Sequence, residues 1–326
     1  MIDIAKGNPA LRSELFRETS RKMGIHEAII EKDFWVCVIL FLLFTSERWK
    51  NKIIFKGGTS LSKVYSLINR FSEDIDLILD WRELGFSVDD PWKPDSNSQK
   101  DRFVKDVTPK VTEYLQTVFI PDFQQELVNK TGINFRVELE SDAVTVQYPK
   151  AFENTAILPH IILEIGPLAG WTPHQTGIVT PYAQKSFPIL FHHSQIEVQV
   201  VTAERTFWEK ATILHQEYNR PETKHIPPRY SRHYYDVYKM VQSPVFEAAL
   251  KDKSLLQQVI AFKERFYRAP WSGLSEIKEG SFHLAPPANR REELFSDYKK
   301  MKSMIFVEEP SFAEKITELS EKEKLI

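Results

Sequence analysis

The sequence contains one cysteine, Cys37, among 326 residues, and it has no excess of positive charge. A single thiol cannot close a disulfide within the chain. Because Cys37 lies in an apolar run, we expect a small buried core residue in a protein of the reducing cytoplasm. The formal net charge of −2 excludes a globally basic nucleic-acid coat. A net charge near zero is still compatible with a local basic groove on the surface.

Long hydrophobic runs are also missing. The strongest candidate, residues 34–44, has 11 residues, which is too few to cross a bilayer as a helix. We therefore expect a buried helix over about residues 26–46. No basic N-terminus leads into a small-residue cleavage site, so no signal peptide is expected. The sequence likewise has no internal repeat, zinc-ligand spacing, Walker loop or Ser/Cys–His signature.

The most informative stretch starts with a short apolar segment that ends at Gly57-Gly58. Two adjacent glycines allow the backbone to turn tightly and to approach a ligand closely. The pattern predicts a strand, this turn, and a helix that is capped by Thr59 or Ser60 and extends to about residue 68. Backbone N–H groups at such a turn and helix start are suited to a polyphosphate.

Residues 72–79 alternate with the period of two that is typical of a strand, which places Asp74 and Asp76 on one face. Two carboxylates this close repel each other unless a cation or a proton lies between them. A hard divalent cation that also contacts substrate phosphates fits, which indicates Mg²⁺, or Mn²⁺ in its place. A lone glycine pair is usually a turn, and a lone Asp-x-Asp is usually a solvated strand face. Their order and spacing together indicate nucleotidyl or phosphoryl transfer by in-line displacement.

The segments 57–61 and 70–77 together resemble the signature of the AbiEii/AbiGii toxin nucleotidyltransferases, within the DNA polymerase β-like superfamily. The resemblance covers about residues 31–238. It implies an α/β (α+β) fold, with a nucleotidyltransferase core of mixed sheet flanked by helices and a helical C-terminal region. We expect the core over residues 1–202 and the helical region over 203–326.

The resemblance also implies roles for residues of the core. Asp74 and Asp76 would bind Mg²⁺, and Glu164, on a strand predicted at 160–165, would complete the metal-binding set. The alternative for Glu164 is an ordinary strand-edge glutamate. The phosphates would be cradled by the glycine turn and the residues after it, namely Gly57, Gly58, Thr59 and Ser60.

The C-terminal region would contribute Lys210 and Asp236 to the catalytic site. Lys210 matches the lysine of the family's third motif, which approaches the nucleotide phosphates, and Arg232 would assist it there. The alternative is a solvated helix lysine. Asp236 would either orient Lys210 or act as a base on the incoming hydroxyl. Arg232 and Asp236, four residues apart, are alternatively a structural helix ion pair. His233 stands where the family often has aspartate, so its role stays open.

By the same resemblance the protein would be a cytoplasmic bacterial toxin with a cognate antitoxin, acting in phage defence or growth arrest. It would transfer a nucleoside monophosphate from an NTP to an acceptor hydroxyl and release pyrophosphate. The acceptor implied first is RNA, at the tRNA 3′ end, and a protein hydroxyl is the alternative. The rivals are a non-catalytic nucleotide- or RNA-binding protein of the same fold and a regulator whose helical half binds a partner. The intact aspartate pair argues against the former.

Three further segments carry charge. Lys32, in the stretch 31–36, reaches either a phosphate or the solvent on a mixed-charge helix face. Residues 218–228 are expected to form a mobile, basic loop. A basic cluster at residues 290–302, which begins with Arg290, would contact RNA phosphates or lie on a solvated helix face. Strands are also predicted at 134–140 and 143–148, as a hairpin, and at 196–201.

Overall fold

A computed structural model describes residues 1–155, 157–191, 194–307 and 309–326. They group into unit 1, residues 1–64 and 71–200, and unit 2, residues 65–70 and 201–326. The strands are β1 Ile53–Lys56, β2 Asp74–Leu79, β3 Arg136–Glu140, β4 Ala143–Gln147, β5 Ile161–Gly166, β6 His174–Val179 and β7 Ile196–Val201. The helices up to β7 are α1 Ile2–Lys6, α2 Pro9–Met23, α3 Glu27–Thr45, α4 Gly57–Lys63, α5 Asn97–Tyr114, α6 Ile120–Thr131 and α7 Tyr182–Ser186. The later helices are α8 Ala203–Tyr218, α9 Ser231–Val241, α10 Pro244–Lys251, α11 Lys253–Phe266, α12 Arg291–Met301 and α13 Phe312–Lys322.

The sheet of unit 1 has seven strands in the order β3-β4-β5-β2-β1-β7-β6. It is mixed, as predicted: β2 runs parallel to β5 and antiparallel to β1, whereas β1 runs parallel to β7. The predicted hairpin is present as β3 and β4, and β5 continues it in antiparallel pairing. The two strands predicted to bear carboxylates, β2 and β5, are therefore hydrogen-bonded neighbours inside the sheet.

The expected buried helix is α3, which is buried along almost its whole length. Its rings pack tightly, with Phe34 5.3 Å from Phe16 and Trp35 5.5 Å from Phe135 between ring centroids. Cys37 lies in this helix and is fully buried, which confirms it as a core residue; burial raises the pKa of its thiol. Among the described residues, no helix combines the length and apolarity that a membrane crossing requires.

The charged start of α3 is buried as well, so both expectations for Lys32 are wrong. Its ammonium group pairs with Glu73 at 2.8 Å, and its side chain has 0% exposure. Glu31 accepts hydrogen bonds from backbone N–H groups after β4, and Asp33 pairs with Lys63 in α4. Each of these three neighbouring charges is matched inside unit 1, because buried ions need a partner.

Three expectations about helix boundaries are also wrong. Helix α4 ends at Lys63 and does not extend to about residue 68. Thr59 and Ser60 do not cap α4, since Lys56 is its N-cap and both hydroxyl residues lie within the helix. Pro121 does not end the helical path. A π-helical segment, Leu115–Phe119, leads from α5 into α6, and Pro121 lies in the first turn of α6, where no intrahelical N–H bond is needed.

Unit 2 consists mainly of helices, with α8 and α9 at its centre. Helix α8 packs against α9, α10 and α11, and α9 packs against α12 and α13. Aromatic rings line the centre: Phe207 lies 5.5 Å from Phe246, and Trp208 lies 6.0 Å from Phe282, between ring centroids. Both α8 residues are fully buried.

The loop between α8 and α9, expected to be mobile, is instead tied to α12 and the residues before it. Asp297 accepts from the backbone N–H groups of Arg229, at 2.7 Å, and of Ser231, at 2.9 Å. Arg290 donates to the backbone carbonyls of Pro221 and Lys224. Arg290 is buried by these contacts, so its expected place in a basic RNA-binding cluster is wrong.

Candidate active site

The carboxylates of β2 and β5 form the chemical centre of unit 1. In the parallel register Asp76 lies opposite Glu164, and Asp74 lies opposite Ile162. Residues opposite each other in neighbouring strands project to the same face. The Asp76 carboxylate lies near enough to Glu164 to act on the acidity of its carboxyl group. The structure therefore brings together the acidic residues that the family resemblance implied as a set.

This arrangement changes the acidity of Glu164. Burial of its carboxyl group and the negative charges of Asp76 and Asp74 raise the pKa of Glu164 to about 7. Lys56 acts in the opposite direction. Because the Glu164 side chain is exposed to solvent, repulsion by the two aspartates explains the raised pKa better than burial does. Below about pH 7 the protonated form of Glu164 therefore predominates, at a place where a cation would serve the same purpose.

The turn between β1 and α4 lies directly against this pair. Gly57 has φ +79°, and a Cβ placed on it would be 1.8 Å from Asp76 Oδ2. Both the left-handed backbone and the close approach of the carboxylate exclude a larger residue. Gly57 thus brings the backbone of the turn to the edge of the acidic site.

Thr59 and Ser60 hold this turn in place. The Thr59 hydroxyl donates to the Asp74 carbonyl, and the Ser60 hydroxyl donates to the Gly57 carbonyl at 2.8 Å. Both residues are buried. Their side chains serve the turn itself, so any contact with a phosphate from this segment would come from backbone N–H groups at the helix start.

The acidic face fits a divalent cation by the chemistry of its donors. Within the described ranges, no three or more His, Cys, Asp or Glu side chains already stand where they would hold a metal ion. Asp76 and Glu164 nevertheless offer adjacent carboxylate oxygens, with Asp74 on the same face of β2. Oxygen donors of this kind suit Mg²⁺ and Mn²⁺. A cation there would take the place of the proton that the raised pKa of Glu164 favours.

A second group of charges lies inside unit 2. Asp236 has 0% side-chain exposure and accepts hydrogen bonds from Arg70 Nε at 2.7 Å and Arg70 Nη2 at 2.8 Å. Lys210 Nζ lies 2.9 Å from Asp236 Oδ2. Burial would raise the pKa of Asp236, but the two cations outweigh it and hold that pKa well below its usual range. Burial lowers the pKa of Lys210 against the attraction of Asp236.

The neighbours of Asp236 in α9 differ from the pattern expected of a local ion pair. Asp236 binds Arg70, 166 residues away in the chain, rather than Arg232, four residues away. Arg232 contributes positive charge that lowers the pKa of Lys210. Burial, and then the charge of Lys210, lower the pKa of His233 well below 6.5. His233 is therefore neutral, and its buried Nδ1 has no hydrogen-bond partner among the described residues.

Two residues with evident roles were missed at the sequence level. Arg70 belongs to the recognised signature, but nothing in its spacing connects it with Asp236. Lys56 lies opposite Asp76 in the antiparallel register of β1 and β2, and its charge acts on Glu164. A basic residue directly before the glycine pair was the available signal for Lys56.

Comparison with known proteins adds one firm result. The model of the family described as nucleotidyl transferase AbiEii toxin, type IV TA system, matches residues 39–318, well over half of the chain. Among solved structures the chain is similar to the nucleotidyltransferase toxin MenT4 from Mycobacterium tuberculosis H37Rv, at 15% identity. That match covers 90% of this chain and 98% of the other, with a TM-score of 0.44. No curated protein matches the chain.

Proposed function

The chain belongs to the family of AbiEii nucleotidyl transferase toxins of type IV toxin–antitoxin systems, and on this premise we propose that it transfers a nucleoside monophosphate from an NTP to an acceptor hydroxyl. The hydroxyl oxygen would bond to the α-phosphorus as the bond to the bridging oxygen breaks and pyrophosphate leaves. The hydroxyl proton would pass to solvent. The observation that carries the proposal is the Asp76–Glu164 pair beside the Gly57 turn.

We assign the residues of unit 1 to the metal and the phosphates. Asp74, Asp76 and Glu164 would hold Mg²⁺ or Mn²⁺. A divalent cation would supply charge neutralisation of the phosphates and a template for in-line displacement. Gly57, which has no side chain against Asp76, would let the phosphates approach that carboxylate, and Gly58 would contribute backbone at the start of α4, with Thr59 and Ser60 fixing the turn.

We assign the residues of unit 2 to charge on the nucleotide. Lys210 and Arg232 would offset the triphosphate charge and the charge that develops on the leaving pyrophosphate. Asp236 would orient Lys210, because it lies 2.9 Å from the ammonium group. A carboxylate whose pKa is held this low is a poor proton acceptor, so the orienting role is better supported than that of a base.

The acceptor and the biological setting are proposals that rest on the family alone. We propose an RNA hydroxyl, at the tRNA 3′ end, as the acceptor. We further propose a cytoplasmic toxin that acts in phage defence or growth arrest and is neutralised by a cognate antitoxin. Transfer to a protein hydroxyl is the other outcome that the test below distinguishes.

The test is a labelling experiment with purified protein, Mg²⁺, each α-³²P-labelled NTP in turn, and total bacterial RNA or total protein. Asp76→Ala removes a proposed metal ligand, and Asp142→Asn, in the exposed turn between β3 and β4, is the matched control. Label in a tRNA-sized band with the wild type and the control, but not with Asp76→Ala, is expected. Label on protein would change the acceptor. NTP binding without labelling of either would overturn transfer and favour a nucleotide-binding protein.

A further inference from the structure

The ion pair between Lys32 and Glu73 is almost completely buried, and its contribution to the stability of the fold does not explain this burial. The two charged atoms are 2.8 Å apart, and the side chains have 0% and 2% exposure. Taking two ions out of water offsets most of their attraction, so a buried pair of this kind adds little net stability. Its position in unit 1 indicates another role.

Both residues lie near the starts of β2 and β5, the two strands that carry the carboxylates. Glu73 directly precedes β2, and its Oε2 accepts a hydrogen bond from the Leu158 backbone N–H at 2.6 Å. Lys32 Nζ donates to the Leu158 carbonyl at 3.1 Å. The pair therefore forms hydrogen bonds with both the N–H and the carbonyl group of Leu158, which lies shortly before β5. It connects the start of β2 with the start of β5.

We propose that Lys32 and Glu73 are positioning residues for the carboxylate site. They fix the start of β2 relative to β5, so that Asp76 and Glu164 face each other across the two strands. The inference rests on the proposed function, because it assumes that these carboxylates bind a divalent cation. Such a site tolerates displacements of only about 0.5 Å, so its strands need support beyond the ligands themselves.

The two neighbours of Lys32 show why this assignment is specific. Glu31 is equally buried, but it accepts from the backbone N–H groups of Ala151 and Phe152, in the loop after β4. Asp33 pairs with Lys63 in α4. Among these three charges, the contacts with the starts of β2 and β5 are made by Lys32. Glu31 thus provides a control of equal burial in the same helix.

The test compares a double variant, Lys32→Met/Glu73→Met, with Glu31→Gln. Methionines of similar length remove both charges and leave no buried ion unpaired. Mn²⁺ binding to the full chain without nucleotide is measured by electron paramagnetic resonance, and thermal unfolding is followed in parallel. We expect the Kd for Mn²⁺ to rise about tenfold in the double variant, as for other residues that orient metal ligands. Glu31→Gln should bind Mn²⁺ as the wild type does.

A second variant guards against loss of folding. Lys32→Met/Glu73→Gln keeps an oxygen for the Leu158 N–H and leaves no buried cation without a counter-charge, and we expect it to weaken Mn²⁺ binding in the same direction by a smaller factor. A folded double variant with wild-type Mn²⁺ affinity would overturn the inference and leave the proposed function standing. A wild-type chain that neither binds Mn²⁺ nor transfers nucleotide would overturn both.

Discussion

The carboxylate of Asp76 lies against the α-carbon of Gly57, so closely that a side chain at position 57 would overlap its Oδ2. The left-handed backbone of Gly57, with φ +79°, is a second and independent requirement for glycine. Gly57 therefore does more than form a turn. It sets the distance between the backbone of the turn and the proposed metal ligand.

Gly57→Ala tests this relationship. We expect a stability loss larger than the roughly 1–2 kcal/mol of a left-handed alanine, because the new methyl group must also displace the Asp76 carboxylate. Transfer activity should fall with it. Gly85→Ala is the matched control: φ there is +80°, and an added Cβ would meet nothing within 4 Å. Chemical denaturation of both variants gives the comparison, and equal losses would show that the contact with Asp76 is unimportant.

The raised pKa of Glu164 predicts a pH dependence of stability. Its folded-state pKa of about 7 lies above the ordinary value of 4.5, so the folded protein binds more protons between those values. The stabilising contribution is present below pH 4.5 and is lost as the pH rises through 7. In EDTA, the unfolding temperature of the wild type should therefore decline between pH 5 and pH 8 relative to Glu164→Gln.

Divalent cation supplies the control for that experiment. Mg²⁺ added at pH 8 should raise the unfolding temperature of the wild type more than that of Glu164→Gln, because it takes the place of the lost proton. Parallel pH curves for the two proteins would mean that Glu164 titrates normally. The charges of Asp74 and Asp76 would then have no measurable effect on its pKa.

Periodicity and turn chemistry predicted the local elements well. Strand β7 was predicted within its observed limits, and the alternation of residues 72–79 located β2, because local side-chain patterns directly reflect the buried face. The assignment of Glu164 needed the family resemblance, since no period connects residues on separate strands. The start of α4 was wrong because the left-handed Gly57 begins the helix before the usual capping residues.

The burial and pairing of charged residues could not be predicted from the sequence. A mixed-charge run such as residues 31–33 has the same pattern whether it faces water or pairs inside the protein. Its partners, among them Glu73 and Lys63, come from distant segments that local spacing cannot connect. The same holds for Arg70 and Asp236.

Asp236→Asn should destabilise unit 2 strongly. The substitution leaves Arg70 and Lys210 buried without their shared counter-charge, and breaking a buried pair on one side typically costs about 3–5 kcal/mol. Urea denaturation measures the loss. Asp252→Asn, in an exposed helix cap, is a suitable control and should change stability by about 1 kcal/mol or less. A small effect at Asp236 would mean that the two cations find other partners.

Lys210→Met separates the proposed catalytic role of the lysine from its structural one. Asp236 keeps its two hydrogen bonds from Arg70, so the fold should persist with only a modest loss of stability. If Lys210 neutralises the triphosphate, the variant should show a raised KM for NTP and a reduced kcat, with unchanged binding of the acceptor. Removing one such group costs about 10²–10³ in rate. Lys239→Met, which removes the partly buried partner of Glu309, is the control. Normal turnover by Lys210→Met would leave Lys210 as a purely structural partner of Asp236.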